Sequence, residues 1–519
     1  MKTFRAAICA ALLLIGMVPG ARANDVTLTS RDGAMEMAGD LIGYDGRYYR
    51  IDTEYGVLTI DGTGVTCEGP GCPNLIAYTA EMTISGAAGV TEALLPALIE
   101  AFALSEGYSV TREEQAGRGP VFALFRDDDP VPVARFFLRL TTSAEAFADL
   151  VAEQADIVVT LREPTRSERL MARDAGLGDL DAVRQSRVLA LDALVPVVNP
   201  DNPVRRLGID TLASVYAGDV AEWTALGGEA APITLYLQDP GQGFGMVFQR
   251  DVMAPADRDF ASSVLTKPSG ESVTRAVEAD PFGLGITNFS RPGLTEMLTL
   301  TGECRFEIAP DQLAIKAGDY PLAAPIYLFR PAVRLPQTGR DFMRFLRTGA
   351  AERVIQRLGL VDQGIDEIPF DRQGTRLANA IAQAGSEIGL EELQRMVARM
   401  DGMRRLTLTY RFKGGSTALD APSRSNVGLL AEALEAGLLD GRRLVFVGFS
   451  DGQGAAPLNR RLSQRRADTV RRAVLEAAET FDPARVTFET DAFGEALPMA
   501  CDDTDWGRRI NRRVEVWVE

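Results

Sequence analysis

The period of the hydrophobic pattern changes three times along the chain. Residues 24–78 alternate apolar and polar positions over short runs: Val26-Thr-Leu-Thr, Tyr48-Tyr-Arg-Ile-Asp-Thr and Gly56-Val-Leu-Thr-Ile. Asp32-Gly33, Asp45-Gly46 and Asp61-Gly62 punctuate them as hairpin-type turns, so a small β module is expected there. Over residues 79–363 strands alternate with helices. Met82-Thr-Ile-Ser, Ala155-Asp-Ile-Val-Val-Thr, Ala193-Leu-Val-Pro-Val-Val-Asn and Gly285-Ile-Thr-Asn-Phe read as strands, and Leu94, Leu95, Leu98, Ile99 and Phe102 form a helical stripe. This alternation predicts an α/β fold with mostly parallel sheets, in which ligands bind outside the strand carboxyl ends near helix N-termini. Residues 364–403 carry helical spacing at Leu377, Ala380, Ile381, Leu390, Leu393 and Met396 and read as a helical linker. Residues 404–519 form a second α/β module: strands at Arg405–Phe412, Arg443–Phe449, Val486–Phe488 and Arg513–Val518, with helices over Val427–Leu434 and Leu458–Ala477.

Residues 1–23 read as a secretory signal peptide. Lys2 and Arg5 precede an apolar run from Ala6 to Val18, and Ala21-Arg22-Ala23 offers small residues for cleavage before Asn24. The competing reading, an uncleaved anchor, fits less well because the run is short and ends at Pro19-Gly20. No later stretch is expected to span a membrane. Export permits disulfides. Cys67 and Cys72 flank a Pro-Gly turn and are expected to bond to each other. A redox pair would more usually be spaced by two, and a metal site lacks any neighbouring histidine. Cys304 and Cys501 lie far apart, and the sequence does not pair them.

Charge then narrows the function. The chain of 519 residues has 55 Lys+Arg, 72 Asp+Glu and no histidine. A net charge of −17 disfavours a general nucleic-acid binder. The missing histidine removes Ser-His-Asp and Cys-His chemistry and His-ligated zinc. No cofactor motif, Walker loop or nucleophile elbow is present, so an enzyme is not expected; a lyase using a carboxylate pair in a cleft stays open.

The densest constellation lies near the C-terminus. Gly448-Phe-Ser-Asp451 ends a strand, and Arg466 sits four residues from both Leu462 and Val470 on the next helix, on its apolar arc. A guanidinium there needs an anion, and Asp451 is the candidate. The spacing allows a structural Asp–Arg bridge. It equally allows a clamp in which Arg466 forks onto a ligand carboxylate while Asp451 takes its ammonium. Arg460, Arg461, Arg465, Arg471 and Arg472 make this helix basic, either as a solvated face or as an attraction to an anionic surface.

Asp451, Gly454, Asn459, Leu462-Ser463 and Arg466-Ala467, followed by Asn511-Arg-Arg-Val-Glu515, resemble the OmpA-like peptidoglycan-binding domain. The resemblance covers residues 404–519 and implies an OmpA-like α/β sandwich. It further implies that Asp451 and Arg466, with Ser450, Asn459 and Arg512 around them, bind the diaminopimelate of a peptidoglycan stem peptide. One departure is that Phe449 stands where the family has histidine. The central region resembles PstS-like periplasmic substrate-binding proteins through Ile84-Ser-Gly-Ala-Ala-Gly89, Ala155-Asp-Ile157, Leu194–Pro203, Tyr216-Ala-Gly218 and Asp280–Ile286. That implies a two-lobed type II binding-protein fold holding a small anion, phosphate in the type case. The positions implied for the ligand are Ser85, Gly86, Ala87, Ala88, Arg162, Gln242, Gly243 and Phe244. Here Ala87, Ala88 and Phe244 replace hydroxyl residues, and Leu161 replaces a serine. Each loss removes a hydrogen bond to a charged ligand, worth about 1.5–3 kcal/mol. Arg162 has an alternative role in a salt bridge.

Taken together, the chain is expected to be a non-catalytic envelope protein. It would tether a binding-protein-like domain to peptidoglycan in the periplasm, including the inner face of the outer membrane. The alternative is a wall-tethered receptor capturing phosphate or another anion.

Overall fold

The computed structural model describes residues 25–519 apart from 76, 77, 116–118, 128, 303, 305, 384–387, 414, 415 and 417. The expected signal peptide lies outside the described residues. The chain divides after Tyr78 into two compact units.

The first unit is a five-stranded antiparallel sheet. Its order is Gly56–Asp61, Tyr48–Thr53, Glu36–Tyr44, Val26–Ser30 and Val65–Glu68. Alternation turns Val26, Leu28, Tyr49 and Ile51 into its buried face. The Cys67–Cys72 disulfide closes the turn after the last strand.

The second unit begins with two lobes sharing one strand. Ser186–Val198 is buried along nearly all its length, which is why it reads as an unbroken apolar run. Its first half, Ser186–Ala193, pairs antiparallel with Ala323–Phe329 in one lobe. Its second half, Leu194–Val198, pairs with Leu284–Asn288 in the other. The first lobe adds Ile157–Thr160, Ala80–Ala87, Ala134–Thr141, Gly119–Arg126 and Tyr108–Gln115; the second adds Thr234–Gln238 and Leu265–Lys267. The sheet is therefore mixed rather than mostly parallel. The shared strand runs against both neighbours, Ala323–Phe329 runs against Ile157–Thr160, and Tyr108–Gln115 and Gly119–Arg126 form a hairpin. Helix Ala88–Glu106 is, contrary to expectation, long and apolar enough to cross a membrane. Its apolar face is used inside the lobe instead, where Leu95, Leu98, Ile99 and Phe102 are buried and Phe102 meets Phe136, Phe342 and Phe345 edge-on or tilted.

The C-terminal domain is a five-stranded sheet in the order Glu367–Pro369, Arg404–Arg411, Arg513–Val518, Arg443–Phe449, Thr487–Gly494. Helices Ala421–Glu435 and Ala456–Ala477 cover one face through Leu430, Leu434, Val470 and Val474. The region 364–403 is not a free connection. Glu367–Pro369 adds an edge strand, and helix Leu390–Met400 seats Leu393, Met396 and Met400 against Val445, Val447 and Trp517 on the other face.

This domain is joined to the lobes by more than the chain. Arg405 makes two hydrogen bonds to Asp319, at 2.6 and 2.8 Å, both side chains buried. Ser425 accepts from the Val188 amide at 2.9 Å. A second disulfide links Cys304 to Cys501, 197 residues apart.

Candidate functional site

At the C-terminal constellation, helix Ala456–Ala477 buries Asn459, Ser463, Arg466, Ala467, Val470 and Val474. Leu462, expected on that arc, is only half-buried; Ser463 takes its place because the helix lies directly on the strand. A Cβ on Gly448 would stand 2.1 Å from the Ser463 carbonyl oxygen, so only glycine allows this approach. Gly454 turns the loop with φ +97°.

Arg466 and Asp451 do not pair with each other. Asp451 instead accepts from Arg512 Nη1 at 2.5 Å. Arg466 lies over the Phe412 ring, 5.3 Å from its centroid. Its Nε and Nη1 are buried without hydrogen-bond partners, and so is Ser450 Oγ. Burial first, and the Arg512 guanidinium second, push Arg466 below the ordinary arginine value, while Asp451 opposes them. Asn459 donates to Glu495 and, at 3.5 Å, to the Gly454 carbonyl. The Gly452 amide donates to Asp502 at 2.7 Å, fixing the loop that follows Asp451. The site is thus a carboxylate held by one arginine beside a second arginine whose Nε and Nη1 are unpartnered, and unmade hydrogen bonds of this kind cost about 1–3 kcal/mol each.

The sequence reading missed Phe412, Glu495 and Asp502; only Phe412, an aromatic ending a strand, carried any signal. Phe449 is not part of the site. Strand alternation sends its ring to the opposite face, under Arg513 at 4.3 Å from the centroid. Arg513 and Glu515 form a buried pair at 2.7 Å, and Arg376 and Arg405 also reach Glu515. Burial alone would raise the Glu515 carboxyl, but these three guanidiniums outweigh it and hold it well below the usual range.

The two lobes enclose a cleft of about 290 Å³. Ala88, Gln242, Gly243 and Phe244 line it, at the starts of helices Ala88–Glu106 and Gly243–Phe248, neither of which has a side-chain cap. Ala87 caps the first of these only through its backbone. The Gln238 amide nitrogen stands 2.9 Å from where a Cβ on Gly243 would be and 3.8 Å from one on Gly89, between the two helix starts.

The remaining expected residues face elsewhere. Ser85 is buried and donates to Asp149 at 2.7 Å. Gly86 lies under Thr91, whose hydroxyl would be 2.2 Å from a Cβ there. Arg162 makes two bonds of 2.7 Å to Glu168 and lines a different cavity, so it serves a salt bridge and does not reach the cleft. In its place the cleft holds Thr141, Asn288, Ser290 and Asp192. Asp192 is buried and accepts from Ser290 N and Oγ, Asn288 Nδ2 and Ala193 N. Burial raises its carboxyl above the ordinary value, and these bonds oppose it. A lone carboxylate inside an apolar crossing strand was the available signal.

A cleft between two lobes that share a crossing strand, joined to a sheet-and-helix domain with a buried arginine whose Nε and Nη1 are unpartnered, defines a binding protein. The chain belongs to the PBP superfamily, whose domain profile matches residues 78–348. A second profile, the OmpA family, matches residues 411–512. The phosphate-binding protein PstS of Bacillus subtilis (strain 168) is 24% identical over 195 residues, 37% of this chain and 60% of that protein. Outer membrane porin F of Pseudomonas fluorescens is 40% identical over 72 residues, 14% of this chain and 21% of the porin. The chain therefore spans less than two thirds of either relative. Among solved structures, an ABC-type phosphate transport receptor from Vibrio cholerae aligns with a TM-score of 0.42 and 19% identity, covering 54% of this chain and 99% of the receptor.

Proposed function

We propose that this protein is a non-catalytic component of the cell envelope that holds its binding-protein domain on peptidoglycan, through a clamp made by Asp451 and Arg466. The observation that carries this reading is the pair of buried, unpartnered donors Nε and Nη1 of Arg466 beside a buried carboxylate. A zwitterion suits this pair: its carboxylate accepts from the Arg466 guanidinium and its ammonium meets Asp451. Diaminopimelate in a stem peptide has such a zwitterionic end. Arg512 orients Asp451, Ser450 offers a free hydroxyl, and Asn459 fixes the loop. Co-sedimentation with purified sacculi tests it. Asp451→Ala and Arg466→Ala are expected to lose about tenfold or more in binding while keeping the melting temperature within a few degrees of the parent. Undiminished sedimentation of both variants would sink the reading.

A second reading, capture of a small anion in the lobe cleft, is favoured by one observation, the two uncapped helix starts converging there. Calorimetric titration of phosphate into the phosphate-stripped full chain tests it. Micromolar or tighter binding supports an anion receptor. No heat, and no retained small molecule by native mass spectrometry, removes it.

A further inference from the structure

The two charges of the clamp are held in place by different parts of the molecule. Arg466 stands on helix Ala456–Ala477, which the main core of the C-terminal domain holds through Val470 and Val474, and Phe412 beneath it belongs to the same core. Asp451 depends on another segment. Its partner Arg512 follows helix Asp505–Asn511, and Asp502 fixes the loop after it. That segment packs as a small cluster of its own, Met499, Ala500 and Ile510 with Trp506, apart from the domain's two large cores. A helix of seven residues is not stable by itself, so its place is set by what anchors it.

The anchor is the second lobe. Cys501 is bonded to Cys304, just after strand Thr299–Thr301. The Leu298 amide ties this strand to the second half of the crossing strand by donating to the Pro196 carbonyl at 2.9 Å. The Cys304 amide donates to Cys501 Sγ at 3.0 Å, and a Cβ on Gly302 would stand 2.5 Å from that sulfur. On its other side Cys501 lies directly on the short helix. A Cβ on Gly507 would stand 1.7 Å from the Cys501 carbonyl oxygen, so only glycine fits there.

From Cys501 two routes lead to Asp451. In the first, the adjoining Asp502 accepts from the Gly452 amide at 2.7 Å, one residue beyond Asp451. In the second, Asn511 accepts from the Met499 and Ala500 amides at 2.6 and 3.0 Å and donates to Asp502 at 2.8 Å. The residue after it, Arg512, holds Asp451.

We infer that the second lobe positions the clamp. Cys501 and Asp502 are positioning residues: through them the disulfide sets where Asp451 stands relative to Arg466, and so how well one zwitterion spans both. The inference rests on the peptidoglycan reading and adds a control to it. Wall binding by the C-terminal domain depends on its covalent bond to the binding-protein domain.

The test is calorimetry on the full chain with free meso-diaminopimelate as probe, well below the melting transition of every variant. Cys304→Ser/Cys501→Ser removes the bond without leaving a free thiol, and Asp502→Ala cuts the first route. Neither touches the two large cores, so both variants should fold. Each is expected to weaken diaminopimelate about tenfold. Combined, they should lose no more than about twofold beyond the weaker of the two, because an unanchored segment leaves Asp502 nothing fixed to pass on. If the chain without the bond binds like the parent, or if the two losses multiply to about a hundredfold, the positioning role is overturned, and the clamp stands provided Asp451→Ala abolishes binding. If the parent does not bind diaminopimelate, the clamp reading falls, and its positioning with it.

Discussion

Arg466 shows what one side chain can disclose. Its place on a helical arc was legible, because an arginine four residues from both Leu462 and Val470 must face inward. Its partner was not. Spacing cannot tell which of Arg466 and Arg512 reaches Asp451, since Arg512 arrives from a different element 61 residues on. The same limit applied to Arg162, whose bidentate hold on Glu168 depends on a local turn. Gly448 offers a sharper test of the geometry. Gly448→Ala would drive a methyl into the Ser463 backbone and push the clamp helix off its strand. A loss of about 1–3 kcal/mol in urea unfolding is expected, with weaker sacculus binding. Glu515 offers a pH test. Its folded pKa is depressed, so its contribution to stability is complete above the ordinary carboxylate value. It is lost as pH falls through that value toward the lower folded one. Between pH 6 and pH 3 the parent should therefore lose stability more steeply than Glu515→Gln, which should be less stable at pH 6; thermal melts across that range check both.

Among elements, the largest difference between expectation and structure is the region 364–403. Its helical spacing was plain, but spacing does not say what an apolar stripe packs against. Leu393, Met396 and Met400 cover a sheet face that would otherwise expose Val447 and Trp517. Met396→Ala should thus cost the C-terminal domain about 2–4 kcal/mol by denaturant unfolding, whereas a free connection would show almost none. Of the crossing strand Ser186–Val198 only the second half was legible, as the apolar run Ala193–Asn199. That it serves two lobes was not, because its change of partner after Ala193 leaves no mark on the pattern. In the small β module three of the five strands were legible; Glu36–Tyr44 and Val65–Glu68 were not, and the hairpin joining Tyr48–Thr53 to Gly56–Asp61 turns at Glu54-Tyr55 rather than at an Asp-Gly pair.

For the second unit as a whole, the lobes and the C-terminal domain form one compact unit. The buried Arg405–Asp319 pair is a poor source of net stability but a strong source of orientation, since removing one partner strands the other in low dielectric. Asp319→Ala should therefore lower the melting temperature more than it changes either domain's own fold, and differential scanning calorimetry should resolve one transition into two. None of this union was legible in the sequence. It depends on residue pairs 86 and 197 positions apart that no local pattern connects.

The Cys304–Cys501 bond has a further consequence for the life of the molecule. It closes a covalent ring that contains every residue of the passage from lobes to C-terminal domain. A protease cutting anywhere inside that ring nicks the chain without releasing either half, and a nicked molecule would run as one species until reductant is added. Whatever the C-terminal domain holds, the lobes remain leashed to it after such a cut.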